Sequence, residues 1–259
     1  MPSEPVAHAV ATLRGIGGQR VWSLMVSLFG DLARGEGDRI PGPLLSSLMA
    51  TMDVRPEAAR VALHRLRNDG WITSIKEGRI SLHGLSPMGR LESAEASRRI
   101  YVRPNDLAKG WQIALLPENR EADAERLAAA GFTMLFPRAF IGPSDAPEPA
   151  DALCLKGGSL PDWVGGAIIP HHLRAEYETL HTALSAIAPA LPTASDMTAH
   201  QVAALRCLIV HNWRRLVLRH PALPRGLVPA DWPGAMCHEI VAELLARYPR
   251  PALGDIASA

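Results

Sequence analysis

Residues 53–70 constrain this chain more than any other stretch. Pro56 suits a first helical position, Glu57 falls in the first turn where the helix dipole favours a negative charge, and Gly70 supplies a left-handed stop. Ala59, Ala62, Leu63 and Leu66 form an inner apolar face. At about 100° per residue, Glu57, Arg60, His64 and Arg67 share the opposite side, with Arg65 on the flank. Just upstream, Pro43 opens a short helix from about Leu44 to Met52, whose Leu44, Leu45, Leu48 and Met49 give a buried stripe. A short helix, a tight turn, then a helix with small inner residues and basic outer ones is the pattern of a helix-turn-helix.

The flanking segments extend that unit. Val21, Leu24, Met25, Leu28 and Phe29 recur at three and four, predicting a helix that ends near Gly35. Trp71–Ile75 and Arg79–Leu85 are rich in β-formers and are separated by Lys76-Glu77-Gly78, a hairpin signal read as a wing. Ser86 then caps a connecting helix with Pro87 at its first position, marked by Leu91 and Ile100. Residues 1–19 carry Pro2, Pro5, Gly15, Gly17 and Gly18, too many breakers for a long helix, and are expected to be an arm docked by Val10, Leu13 and Ile16.

Further along, a strand at Trp111–Leu116, a charged helix from about Glu118 to Ala130 and a second strand from Phe132 to Phe136 are expected, with Gly131 as the stop. Phe140-Ile141 and Ala152–Leu155 add short strands around a Pro-rich loop at 143–149, which together suggest a small α+β domain. Three helices follow, at His171–Ile187, Ala199–Leu218 and Pro233–Tyr248, between Pro-rich loops. The chain is thus expected to be a multi-domain α+β protein: an arm (1–19), a helix-turn-helix domain with its connecting helix (20–100), an α+β domain (101–170) and a helical domain (171–259).

Charge restricts the function. Lys and Arg number 27 against 26 Asp and Glu in 259 residues, so any basic footprint for nucleic acid must be local. One exists. Arg55, Arg60, Arg65 and Arg67 meet only Glu57 between positions 55 and 67, and Arg grips guanine bidentately while any residue of this face can hold phosphate. Lys76 and Arg79 on the wing are expected phosphate contacts, although ordinary turn charges look the same. His171, His172, His211, His220 and His238 form no zinc motif, and Cys154, Cys207 and Cys237 suit neither a finger nor a disulfide framework. No metal or cofactor is expected. Gly15-Ile16-Gly17-Gly18 lacks the strand and Lys-Ser/Thr of a phosphate loop, and no nucleophile stands beside a base, which argues against an enzyme. The first ten residues lack a secretory pattern and no run is long and apolar enough for a membrane span, so a cytoplasmic address is expected.

Residues 20–31 (RVWSLMVSLFGD), 60–71 (RVALHRLRNDGW), Gly78-Arg79 and residues 85–89 (LSPMG) resemble the winged-helix half of the PaaX family of phenylacetate-catabolism repressors. Trp213-Arg214-Arg215, Leu218, Pro221, Leu223-Pro224, Leu227, Pro229 and residues 231–234 (DWPG) resemble that family's C-terminal signature. The chain departs from the usual pattern at His83, where Tyr is common, and at His220 and Gly226, where Asp and Glu are common.

The resemblance implies a GntR-like winged helix, a ferredoxin-like central domain similar to that of the Cas2 nucleases, which serves as the dimer contact, and a helical effector domain. It implies a dimeric repressor of a catabolic operon, released from double-stranded operator DNA by phenylacetyl-CoA or a related acyl-CoA. The cations such a ligand needs are expected from Arg214 or Arg215, which as neighbours point to different sides of a helix, and apolar surface from Trp111. Two other readings stand beside this one: an enzyme acting on a thioester or nucleic acid, and a DNA-binding module without an effector.

Overall fold

The computed structural model describes residues 4–17, 20–118, 121–157, 161, 163–169, 171–228 and 231–257. Residues 1–3, 18 and 19 of the expected arm, and Pro229 of the C-terminal signature, lie outside the described residues. The fold is mixed α and β, with eleven α-helices and two antiparallel sheets among the described residues.

The arm departs from expectation, because Glu4–Gly15 is a helix, α1. Pro5 sits in its first turn, where a missing N–H costs nothing, and the glycines fall at or beyond its end. Val6, Ala9, Val10 and Leu13, a stripe at three- and four-residue spacing, are buried.

Then come α2 (Val21–Leu32), a two-residue strand β1 (Ile40–Pro41), α3 (Gly42–Thr51) and α4 (Pro56–Asn68). Residues 52–55 make the tight turn between α3 and α4. Gly70 ends α4 at φ +73°, with its N–H on the Arg67 carbonyl (3.1 Å) and the Trp71 N–H on that of Leu66 (2.9 Å). These two bonds satisfy carbonyls that the helix end would otherwise leave free.

Strands β2 (Ile72–Glu77) and β3 (Ile80–Leu85) pair from Ile72↔Leu85 to Glu77↔Ile80, and β1 adds to β3 through Ile40↔His83. Ser86 caps α5 (Pro87–Ile100) by accepting from the Gly89 N–H at 2.9 Å. Only glycine fits at 89, since a Cβ there would stand 2.2 Å from the Trp71 carbonyl oxygen. That close approach seats α5 on the turn between α4 and the hairpin.

The central sheet contains β4 (Trp111–Leu115), β5 (Thr133–Phe136), β6 (Ala139–Pro143) and β7 (Leu153–Lys156), in the order β5-β6-β4-β7 with every neighbour antiparallel. Helix α6 (Glu121–Ala129) connects β4 to β5. One sheet face carries Ala114 and Phe140, which pack with Leu116, Leu127 and Phe132. The Pro-rich segment between β6 and β7 is held by buried Gln112, whose amide donates to the carbonyls of Pro143 (2.8 Å) and Ala146 (2.7 Å).

Helices α7 (Trp163–Ile168), α8 (His171–Ile187), α9 (Ala199–Val217), α10 (Pro233–Arg247) and α11 (Leu253–Ala257) complete the chain. Thr198 and Gln201 form a capping box at the start of α9. This helix is buried on nearly every side, with Leu205, Cys207, Leu208 and Ile209 fully inaccessible, as befits the centre of a core. One apolar cluster runs from Val6 on α1 to Ile256 on α11, so the N-terminal and C-terminal helices share a single interior.

Polar contacts cross that interior too. Arg206 on α9 grips Asp31 on α2 with two bonds of 3.0 Å, and the Tyr101 hydroxyl gives Asp31 a third at 2.9 Å. Asn212 donates to the Leu13 carbonyl at 3.1 Å, and His200 meets Ser47 on α3 at 2.9 Å.

Candidate functional site

Because Ala59, Ala62 and Leu66 are buried, α4 presents its other side to solvent, and Arg55, Arg60, His64, Arg65 and Arg67 are all exposed. Arg60 touches Glu57 at 2.9 Å, but with both side chains about three-quarters exposed the pair is worth well under about 1 kcal/mol and releases Arg60 readily. Arg65 is more committed. It meets Asp69 at 3.4 Å, and its guanidinium lies 4.9 Å from the Trp22 ring centre, which anchors the flank of α4 on α2. Arg67 makes no ion pair among the described residues.

The hairpin of β2 and β3 stands beside α4, and its Lys76 and Arg79 are exposed near the tip. His83 at its base is buried and bonded to Ser74 at 2.8 Å; burial, and then the nearby Arg67 charge, lower its pKa below the ordinary imidazole value. The neutral ring is therefore part of the hairpin's packing. Val61, 70% exposed, lies on the open side of α4, and Ile75 and Ile80 are exposed on the hairpin. None of the three stands out in the sequence as a surface residue, although the same 100° rotation that grouped the arginines leaves Val61 outside the buried stripe. The surface can make charged contacts to phosphate, bidentate contacts to guanine and an apolar contact to a thymine methyl.

The residues expected to hold an effector are not brought together. Arg214 is half-buried against α2 and donates to the Ser23 hydroxyl at 2.9 Å, and desolvation lowers its pKa. Arg215 points elsewhere and donates to the Gly17 carbonyl at 2.8 Å. Trp111 packs with Ile141, Val164, Ile168 and Leu227, a separate cluster on the second face of the central sheet.

A cavity of about 330 Å³ opens instead where the end of α5 meets α8, α9 and α10. Its walls include Tyr177, Trp213, Trp232, Val217 and Leu223, while Arg98, Arg99, Arg225 and Glu239 add charge. Tyr177 meets Trp232 edge to face at 5.4 Å, and Trp213 stacks on His238 at 5.2 Å. His220 gives its Nδ1 proton to the Pro221 carbonyl (2.7 Å), leaving Nε2 to accept from the Tyr177 hydroxyl (2.7 Å). Burial holds both His220 and His238 below the ordinary imidazole range. No local spacing announces this cavity, since its walls come from segments more than a hundred residues apart.

No helix among the described residues is long and apolar enough to cross a membrane. No group of three or more His, Cys, Asp or Glu among them is placed to hold a metal ion.

The chain is 27% identical to Transcriptional repressor PaaX of Escherichia coli (strain K12) over 259 aligned residues, which takes in 90% of this chain and 82% of that one. Among solved structures, Uncharacterized protein Rv0674 from Mycobacterium tuberculosis is similar with a TM-score of 0.40 and 21% identity, over 80% of this chain and 89% of that chain. The family model for PaaX-like protein matches residues 20–89, and that for the PaaX-like protein C-terminal domain matches residues 170–254. With both halves matched in order, the chain belongs to the PaaX-like protein family.

Proposed function

We propose that this protein is a transcriptional repressor that binds operator DNA through α4 and the β2–β3 hairpin, and that a small-molecule effector releases it. The observation that carries the reading is the run of exposed cations on α4, behind a short helix and beside an exposed hairpin, in a chain whose overall charge is only +1. The repressor named among its relatives supports the same role, a regulator of transcription rather than an enzyme.

In this reading, residues 20–100 are a winged helix-turn-helix domain. Arg60, His64 and Arg67 enter the major groove, Arg55 and Arg65 hold its edge, and Lys76 and Arg79 reach phosphate. The effector is phenylacetyl-CoA or a related acyl-CoA, acting on residues 171–259. The contacts first expected of Trp111, Arg214 and Arg215 are not kept, since each is committed to packing or to a partner elsewhere.

The functional unit is a two-fold dimer, because paired half-sites mirror protein symmetry. Residues 101–170 form its contact. Their strand order is that of a ferredoxin-like sheet, with the segment between β6 and β7 running without a helix among the described residues. On the sheet face away from α6, Phe136, Leu153 and Leu155 are each more than half exposed, as is Trp163 of α7 with its ring 5.7 Å from that of Phe136, and a patch of that kind marks an interaction surface.

Gel-shift titration of Arg60→Ala and Arg67→Ala tests the DNA assignment. Loss of about 1–3 kcal/mol at the preferred site identifies a base contact, and uniform weakening across sequences identifies a phosphate contact. Unchanged binding by both folded variants contradicts it.

A further inference from the structure

We infer that Val61 of α4 is a specificity-determining residue, which packs on the 5-methyl group of a thymine in the major groove of the operator. The inference rests on the repressor reading above and goes beyond it, since it names one base and the side chain that reads it.

The geometry of α4 comes first. Ala59, Ala62 and Leu66 are buried and set the inner side of the helix. At about 100° per residue, Glu57, Val61, His64 and Asn68 fall within about 60° of arc opposite them, and all four are exposed. Arg60 and Arg67 flank this stripe on one side and Arg65 on the other. The arginines thus line the edges of the surface that enters a groove, and the stripe between them meets the base edges.

The polar members of the stripe are held along the helix. Glu57 accepts from Arg60 at 2.9 Å, and Asn68 donates to Nδ1 of His64 at 3.3 Å. Val61 stands between Glu57, four residues before it, and His64, three after it, and neither covers it, because it is 70% exposed.

Nothing in the fold accounts for a valine there. A β-branched side chain is a poorer choice than Ala or Arg at an exposed helix position, since it loses χ1 freedom against the preceding turn. Ala58, Ala59, Ala62, Leu63 and Leu66 all pack on the interior shared by the N-terminal and C-terminal helices, and Val61 does not. A lone apolar side chain is also too small for a protein partner, which contiguous apolar patches mark.

The surroundings choose the occupant. An apolar side chain among Arg60, His64, Arg65 and Arg67 suits a partner that is anionic outside and offers one apolar group within. In the major groove that group is the thymine methyl, which stands among hydrogen-bond donors and acceptors. The methyls of valine fit against it and disfavour a polar base edge, which would be stripped of water without gaining a partner.

Duplexes enriched from a random pool by the full chain supply the probe, with each thymine replaced in turn by uracil, which pairs alike and lacks only the methyl. One thymine in each half-site should prove sensitive, its replacement weakening binding about fourfold, the worth of one buried methyl group. Val61→Ser should bind the thymine duplex more weakly by at least that factor and no longer distinguish uracil, while Val61→Ile keeps the distinction. Urea unfolding should leave both variants close to the parent, and if Val61→Ser does not fold, Val61→Gln takes its place. The inference is overturned if uracil is tolerated at every thymine, if the selected half-sites contain no thymine, or if Val61→Ser discriminates against uracil as the parent does. In each of these cases the enriched duplex leaves the repressor reading standing, whereas a pool that stays unenriched overturns both.

Discussion

Replacing Asp31 with Ala removes the carboxylate on which the two halves of the interior converge. Asp31 is fully buried and receives Nε and Nη2 of Arg206, each at 3.0 Å, together with the Tyr101 hydroxyl at 2.9 Å. Arg206, 4% exposed, keeps only the carbonyls of Leu245 and Tyr248 as acceptors once Asp31 is gone. Truncating one partner of such a pair strands a buried charge and costs about 3–5 kcal/mol, on the order of a hundredfold to a few thousandfold in the folded-to-unfolded ratio. With a urea slope near 3 kcal/mol per molar, the unfolding midpoint should fall by about 1–1.7 M. Removing both charges with similarly shaped apolar residues, Asp31→Leu with Arg206→Met, should recover most of that loss, because nothing charged is left inside. Urea unfolding followed by circular dichroism measures all three proteins. A midpoint for Asp31→Ala within about 0.2 M of the parent, or a double variant no more stable than the single one, refutes the reasoning.

Other outcomes follow from the same geometry. Lys76→Ala on the hairpin should weaken DNA binding evenly across sequences and lower the salt slope by about 1, read from titrations at several salt concentrations; an unchanged slope removes the phosphate contact. Leu155→Asp on the exposed sheet face should convert a dimer to a monomer in sedimentation runs, and an unchanged assembly moves the contact elsewhere. Acid should destabilise the fold through its buried imidazoles. Burial, then the charges of Arg214, Arg215 and Arg14, lowers the pKa of His211 to about 3. The unfolded chain then binds the extra proton, so this stability is whole above pH 6.5 and is lost as pH falls toward 3, by up to about 1.4 kcal/mol per pH unit. His220 and His238, shifted the same way by burial, steepen the loss, and unfolding free energies that stay flat from pH 7 to 4.5 contradict it.

The parts of the fold that were legible in the sequence are those governed by local chemistry. Helix α4 starts at Pro56 and stops before Gly70 because ring closure and a left-handed φ act within a few residues, and Ser86 marks the start of α5 for the same reason. Helix α1 was missed because breaker counts outweighed the stripe of Val6, Ala9, Val10 and Leu13, which earns its stability by packing on α8 and α9. The exposed arginines of α4 were visible as an outer face. The cavity was not, since Arg99, Tyr177, Trp213 and His238 meet only after α5, α8, α9 and α10 have packed. Trp213 holds the end of α5 and Trp232 packs in the core, while both line that cavity.

Selection from a pool of random DNA duplexes by the whole chain shows whether it reads sequence. A two-fold repressor should enrich a symmetric site whose half-sites lie one helical turn, about 34–36 Å, or a multiple of it apart. Arg60→Ala or Arg67→Ala should relax the preference at a defined base pair in each half. A pool that stays unenriched at physiological salt, where specific binding should exceed non-specific binding by about 10³-fold or more, would contradict the claim that this protein is a sequence-reading repressor.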